Sequence, residues 1–473
     1  MNNIVKRICF LLLLGMSTIF AFESQFTLPV NFYNNIEDPI NAYDLNNNPA
    51  SKIYEENTEV FSINTIFADL GYKRTYDPLA TQTYRADFTT LRRINERSFF
   101  SASITYDEYR QQDLFSSMEK DFYDDYFSMI DSTLGNTKYY GPKLAIMYNI
   151  QLADHLFLGV EGNYGIERSL KDTFPKTITI MRNSEYHIGL DYRKKSMSIG
   201  VHGRYYDDQK YYEAVRSYSD VQTKTYIGYN VFFNEASSST IKKRRIRNGL
   251  EYGGHFRIGG RQAFSMNFSA SGLRRSSKAD LLRSSSTRER GFWLREGIHL
   301  LGSIDIHPES SIASRIYSEY LYYNDWGKSM ISQTLILENM ESYFQAGVVL
   351  AYQPSMIQKA FVGAEIGKVA YDYKEYVFPF EDSQTGTEWK LYAGAELYLS
   401  SKTRLNFNLE YAKENPKFYW NTDYFLNTGL RINLEQLFSF GYIEVKFENI
   451  NRKPSNDSKS ISVMQIGLSY RRK

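Results

Sequence analysis

Cysteine is almost missing from this chain. One residue in 473 is cysteine, Cys9, and it lies inside an apolar leader. A mature chain starting beyond it has no disulfide, no thiol nucleophile and no cysteine-based metal site. Beyond the leader there is also no run of about 18 apolar residues, which excludes a membrane-spanning helix. Charge of one sign is missing too. The 56 basic and 54 acidic residues leave a net charge of +2, so nothing calls for nucleic acid as a partner. No GxSxG elbow, HExxH pair or phosphate-cradling P-loop occurs. The reading is therefore no enzyme, no cofactor and no metal, with a hydrolase built into a barrel wall as the weaker alternative. No Pro-, Gly- or Ser-rich linker divides the chain, which points to one large domain.

What the chain does have begins with an export signal. Lys6 and Arg7 precede the apolar stretch 8–20, and Ala21 offers a cleavage point, so residues 1–21 read as a signal peptide. Residues 22–57 are Asn-rich and contain Asp38-Pro39 and Asn48-Pro49-Ala50. They read as an N-terminal periplasmic arm, either free or tucked in as a plug.

Residues 58–473 carry the dominant pattern, clearest over 144–168. Leu144, Ile146, Tyr148, Ile150 and Leu152 alternate with Ala145, Met147, Asn149 and Gln151. After Asp154-His155, Leu158, Val160, Tyr164 and Ile166 alternate with Gly159, Glu161, Asn163 and Glu167. Side chains on a strand point to opposite faces in turn, so this is a hairpin with one apolar and one polar wall. About 18 such arms follow one another, with 14 to 16 possible if some pairs stand outside the membrane. Short connections such as 194–195, 259–260 and 400–401 alternate with long ones such as 171–183, 207–245 and 372–387. Such sorting predicts short periplasmic turns and long outer loops. The 40 tyrosines, many at arm ends, suit the rims of a bilayer. The predicted fold is all-β: a closed antiparallel transmembrane β-barrel, because strands enter lipid only when every backbone group is paired.

If the apolar rows face lipid, the polar rows line the lumen. By phase the lumen-facing candidates are Glu161, Asn163, Glu167, Asp191, Arg193, Arg204, Arg247, Glu251, Arg257, Glu396, Arg404, Glu410 and Arg431. Both signs are present. This predicts a solvated ion-pair network, or, more sharply, a pore whose mixed charges orient dipolar solutes. His187, His202, His255 and His299 read as hydrogen-bonding wall residues. The inward glycines, among them Gly159, Gly189, Gly200 and Gly394, read as places where the wall curves. The acidic-aromatic segment 121–131 lacks the ligand spacing of a Ca²⁺ loop and reads as a solvated loop. The basic run 242–245 reads as a solvated rim or as a contact for lipopolysaccharide phosphates. Phe440-Gly441-Tyr442-Ile443 breaks phase within an expected arm 438–448, which a bulge would explain.

With these features in place, the chain resembles outer-membrane β-barrels of Gram-negative bacteria, in texture the large Bacteroidota-type barrels. Asn48-Pro49-Ala50 before the first strand is similar to a feature of long-chain fatty-acid transporter-like barrels. The resemblance implies an outer-membrane location and a porin-like or transport channel for small or amphipathic solutes. A non-conducting scaffold that binds a partner or surface polymer through its loops is the alternative. The implied partners are outer-membrane lipid, lipopolysaccharide and the barrel-assembly machinery. Such barrels often end in an aromatic residue, whereas here Tyr470 is followed by Arg471-Arg472-Lys473.

Overall fold

The computed structural model describes residues 48–51, 57–117, 120, 129–173, 176–194, 196–215, 223–226, 232–235, 240–259, 264–283, 286–306, 312–355 and 358–472. The expected signal peptide, most of the expected arm and the segment 121–127 lie outside the described residues. Among the described residues, twenty strands form one antiparallel sheet. They are β1 (Thr58–Leu70), β2 (Ala80–Asn95), β3 (Ser98–Ser117), β4 (Met129–Ala153), β5 (Leu156–Lys171), β6 (Lys176–Lys194), β7 (Met197–Val215), β8 (Thr223–Tyr226), β9 (Phe232–Glu235) and β10 (Thr240–Gly259). The rest are β11 (Phe264–Arg283), β12 (Ser286–Ile306), β13 (Ile312–Ser329), β14 (Leu335–Ser355), β15 (Gln358–Glu375), β16 (Phe380–Ser400), β17 (Thr403–Glu414), β18 (Phe425–Phe438), β19 (Gly441–Pro454) and β20 (Ile461–Arg472).

Eighteen of these close into a barrel. Each stave pairs with the next, β7 pairs with β10, and β20 returns to β1 through partners such as Phe61↔Tyr470 and Leu70↔Ile461. Closure leaves no open edge. The two remaining strands, β8 and β9, pair as a hairpin within the long connection 207–245, and β8 also pairs with Met129 and Ile130 of β4.

Burial is inverted relative to a soluble fold. In β6, Tyr186 and Ile188 are 60% and 55% exposed, while their neighbours His187 and Asp191 are 6% and 0% exposed. β10 repeats this, with Leu250 and Tyr252 exposed and Lys243, Arg245 and His255 buried. Large apolar side chains would not cover the outside of a water-soluble sheet in rows. Facing hydrocarbon, those rows are at their most favourable, and the closed ladder satisfies the backbone.

The sorting of connections holds, but the outer ones are mostly strand. β5 and β6 leave only 172–175 between them, and β11 and β12 only 284–285. The staves keep pairing above the apolar band, where polar residues on both faces hide the alternation that marks a strand in sequence. Near the C-terminus the phase break at 440–443 is a turn and not a bulge. Phe438 pairs with Gly441, whose φ is +145°, and β19 starts there. Arg471 and Arg472 are part of the closing strand: Arg472 lies opposite Glu59, and Arg471 bonds Glu435 at 3.2 Å.

Candidate functional site

Which face is inside is decided by contacts between staves that are not neighbours. Tyr317 on β13 and Tyr392 on β16 bring their hydroxyls to 3.3 Å. His255 on β10 reaches Asp191 on β6 at 3.2 Å. Side chains can meet across that many staves only within the cylinder. By alternation, all thirteen lumen-facing candidates share this face.

They do not converge on one centre. One group surrounds Asp191, which accepts bonds from Arg193 and from Ser198 Oγ at 2.8 Å. Arg257 lies opposite Ser198. A second group joins β6, β7 and β10: Arg204 pairs with Glu185 and reaches Glu251 at 3.8 Å, and Tyr206 donates to Glu251. Arg247 on the same wall lies opposite Asp208. A third runs over β16 to β19. Arg404 spans Glu396 (3.1 Å) and Glu435 (3.2 Å), Arg431 bonds Glu448, and Glu410 lies opposite Gly429. Glu161 accepts from Asn163 at 3.3 Å, and Glu167 takes Lys120 at 3.0 Å.

Residues 48–51 lie on this inner wall, against β4, β5, β6 and β7. Asn48 and Ala50 are fully buried. Pro49–Ser51 make one 3-10 turn, closed by Ser51 N–H donating to Asn48 O at 2.9 Å. Asn48 Oδ1 accepts from Ala50 N–H (2.9 Å), and its Nδ2 donates to Leu190 O (2.9 Å). Asn149 Nδ2 donates to the carbonyls of both Pro49 (2.9 Å) and Ala50 (3.0 Å), and Arg193 donates to Ala50 O at 3.1 Å. Three glycines make room. A Cβ on Gly159 would stand 2.2 Å from Ala50 N, one on Gly189 1.9 Å from Asn48 Oδ1, and one on Gly200 2.6 Å from Asn48 Nδ2. These positions read in sequence as curvature glycines. They are the floor of a docking site for backbone, which approaches a wall this closely only where side chains are absent.

Ser198, His255 and Asp191 have the composition of a hydrolytic triad but not its wiring. His255 uses the same nitrogen, Nε2, toward Ser198 (3.4 Å) and Asp191 (3.2 Å), while its Nδ1 has no hydrogen-bond partner. Ser198 donates its proton to the carboxylate directly. A relay needs the acid on one ring nitrogen and the nucleophile on the other, so these three side chains are not wired as one; they brace the wall beneath Asn48.

Further round the wall, inward glycines seat the rings of directly paired residues. Tyr317 covers Gly347, Tyr392 covers Gly363 and Phe361 covers Gly394; a Cβ on any of these glycines would stand 2.2 to 2.4 Å from a ring atom. Tyr317 and Tyr392 pack with Val349, Ala351 and Phe361 in a buried cluster, and Tyr317 donates to Glu365, which also pairs with Lys390 at 3.3 Å. The pairing of ring and glycine appears only once register is known, so sequence reading missed it.

At the outer mouth, the connection 415–424 crosses back over the staves. Lys417 bonds Glu341 of β14 at 2.6 Å and lies 5.5 Å from the Tyr371 ring centre. Burial alone would lower the Lys417 pKa, but Glu341 outweighs it and holds the ammonium above its usual range. Trp420 packs with Phe425 and Ile461, and Arg74 lies 4.6 Å over its ring. Burial and then Asp457 raise the pKa of the Tyr72 hydroxyl, which donates to the backbone carbonyl of Asn421 at 3.1 Å.

The basic run 242–245 is split by strand alternation. Lys243 and Arg245 face inward and are each 2% exposed, while Lys242 and Arg244 face out, toward Glu213 and Asp280. Only half of the run is available to a lipid headgroup.

No protein-family description and no curated protein matches this chain. Among solved structures it is similar to the copper transporter OprC, at 8% identity over 88% of this chain and 81% of that one, with a TM-score of 0.49. It is similar to the ferric preacinetobactin receptor BauA of Acinetobacter baumannii, at 7% identity over 88% and 80%, with a TM-score of 0.43. It is also similar to the monoaromatic hydrocarbon channel CymD, at 10% identity over 90% and 91%, with a TM-score of 0.34. At such identities a likeness concerns fold alone. The closed sheet, its lipid-type exterior and its polar interior make the fold one of the outer-membrane β-barrel type.

Proposed function

We propose that this protein is an outer-membrane transport barrel with a gated lumen, which passes small or amphipathic solutes and does not stand open as a general pore. One observation carries this reading: the inner wall is covered at three separate places. Residues 48–51 are held on it, the Tyr317–Tyr392 cluster packs over it from β13 to β16, and the connection 415–424 crosses its mouth. An eighteen-stave barrel is too wide for its wall side chains to fill unaided, so a lumen furnished this way suits controlled passage. Export through a cleaved signal peptide belongs to the same proposal and rests on the residues of 1–21.

Planar-bilayer recording tests it. The reading expects small or infrequent openings from the full mature chain and larger ones from a chain lacking 22–57. A large steady current from the full chain contradicts gating. Absence of current from both chains favours the scaffold reading.

A further inference from the structure

The connection 415–424 is tied down at its two ends by different kinds of contact. Beside β18 the ties are neutral. Asn421 O accepts from Tyr72 Oη at 3.1 Å and from Asn456 Nδ2 at 2.7 Å. Thr422 Oγ1 and Ser455 Oγ lie 3.0 Å apart, and Ser455 N–H donates to Tyr424 O at 3.0 Å. Tyr72 N–H donates in turn to Ser460 O at 3.2 Å. Three outer connections, 71–79, 415–424 and 455–460, are thus joined into one piece. Against it Trp420, Phe425 and Ile461 are packed at 8%, 0% and 2% exposure.

Beside β17 the same connection runs out over the inner wall, and there the holding contact is ionic. Asn415 N–H donates to Glu388 of β16 at 2.9 Å. The Asn415 side chain lies on Gly386, where a Cβ would stand 2.4 Å from its Cγ. Lys417 then passes β16 and β15 to reach Glu341 of β14, at 2.6 Å. Neighbouring strands lie about 4.8 Å apart, so β17 to β14 is about 14 Å of the mouth. Lys417 and Glu341 keep 17% and 16% of their side-chain surface, so water can solvate both ions as they part. Parting at the other end would instead bring Trp420, Phe425 and Ile461 into water. Asn421, with φ at +49°, makes the bend between the two ends. We infer that residues 415–419 are a hinged strap, which turns about Trp420 and Asn421 and is latched over the inner walls of β14 to β16 by the pair Lys417–Glu341. That its opening admits solute rests on the transport reading; that it opens does not.

Val369 of β15 is 3% exposed and directly opposite Gly386, on which the strap rests. In a chain that starts beyond Cys9, Val369→Cys therefore reports the strap. Labelling of the folded barrel in detergent by a polyethylene glycol maleimide should be slow with Lys417 and with Lys417→Arg. It should be at least about tenfold faster with Lys417→Glu, which sets two carboxylates against each other. Equal rates for Lys417→Glu and Lys417, in protein with the mobility of a folded barrel, overturn the latch. A disulfide between Thr422→Cys and Ser455→Cys should leave the fast rate unchanged, because that end stays closed. A return to the slow rate would show that the whole connection detaches, and overturns the hinge. In planar bilayers, Lys417→Glu should lengthen the openings of the full mature chain. Faster labelling with no current from either chain keeps the strap and removes transport. Equal labelling and equal current with and without Lys417→Glu overturn the strap and keep transport.

Discussion

Gly189 and Asn48 occupy complementary space: a first side-chain carbon at 189 would stand 1.9 Å from Asn48 Oδ1. The amide of Asn48 is bonded on both ends, to Ala50 N–H and to Leu190 O, so it cannot tilt away without losing partners. Gly189→Val should therefore displace residues 48–51 while leaving the β6 ladder intact. Cys9 is the one cysteine of the sequence, so in a chain that starts beyond it Ser51→Cys reports the displacement. Thiol labelling should be faster in the Gly189→Val background, and equal rates would show that the segment is not held by this seat. Asn149→Ala removes two bonds from the same segment and should loosen it by about 1–3 kcal/mol.

Ring-on-glycine pairing gives a second expectation. Gly363→Ala puts a carbon about where the Tyr392 ring lies, 2.2 Å from it, and the ring must leave the Tyr317–Val349–Phe361 cluster. Overpacking of this kind costs about 1–3 kcal/mol. The temperature at which the barrel loses its folded gel mobility should fall for Gly363→Ala. Gly162→Ala, where nothing lies within 4 Å of the added carbon, should leave that temperature unchanged.

The staves were legible in the sequence because lipid and water lie on opposite sides of each one, and strict alternation follows wherever both are present. Leu144–Tyr148 and Leu250–Ile258 show it without help. It failed where one solvent bathes both faces: the upper parts of β6, β7 and β16 read as connections, and the turn at Ser439-Phe440 read as a strand with a bulge. Phase also placed Asp191, Arg204 and Arg404 on one wall. Their partners come from register, which no single strand carries, and so Ser198 beside Asp191 and Glu435 beside Arg404 were invisible. Asn48-Pro49-Ala50 was visible as a triplet, but the three glycines beneath it, from three different staves, were not.

Arg404 neutralises two carboxylates at once, Glu396 and Glu435. Arg404→Gln leaves both on the inner wall. In the chain lacking 22–57, the reversal potential under a salt gradient should move toward stronger cation preference. No shift would mean that ions do not pass this part of the wall.

The contact between Lys417 and Glu341 carries a sign. The pKa of Lys417 is raised in the folded state, so its contribution is complete below the ordinary lysine range and is lost as pH rises through the raised value. Connection 415–424 should stay in place from neutral pH well into the alkaline range. Trp420 fluorescence should be flat there and change only at strongly alkaline pH. Lys417→Met should bring the change to neutral pH.

Solute uptake into liposomes containing the purified mature chain bears most directly on the whole account. A barrel whose outside is greasy, whose inside is wired by ion pairs and whose lumen holds residues 48–51 should admit small solutes slowly and saturably, and faster once 22–57 is removed. Uptake no greater than that of empty liposomes, with and without that segment and with the barrel folded in both, would contradict it.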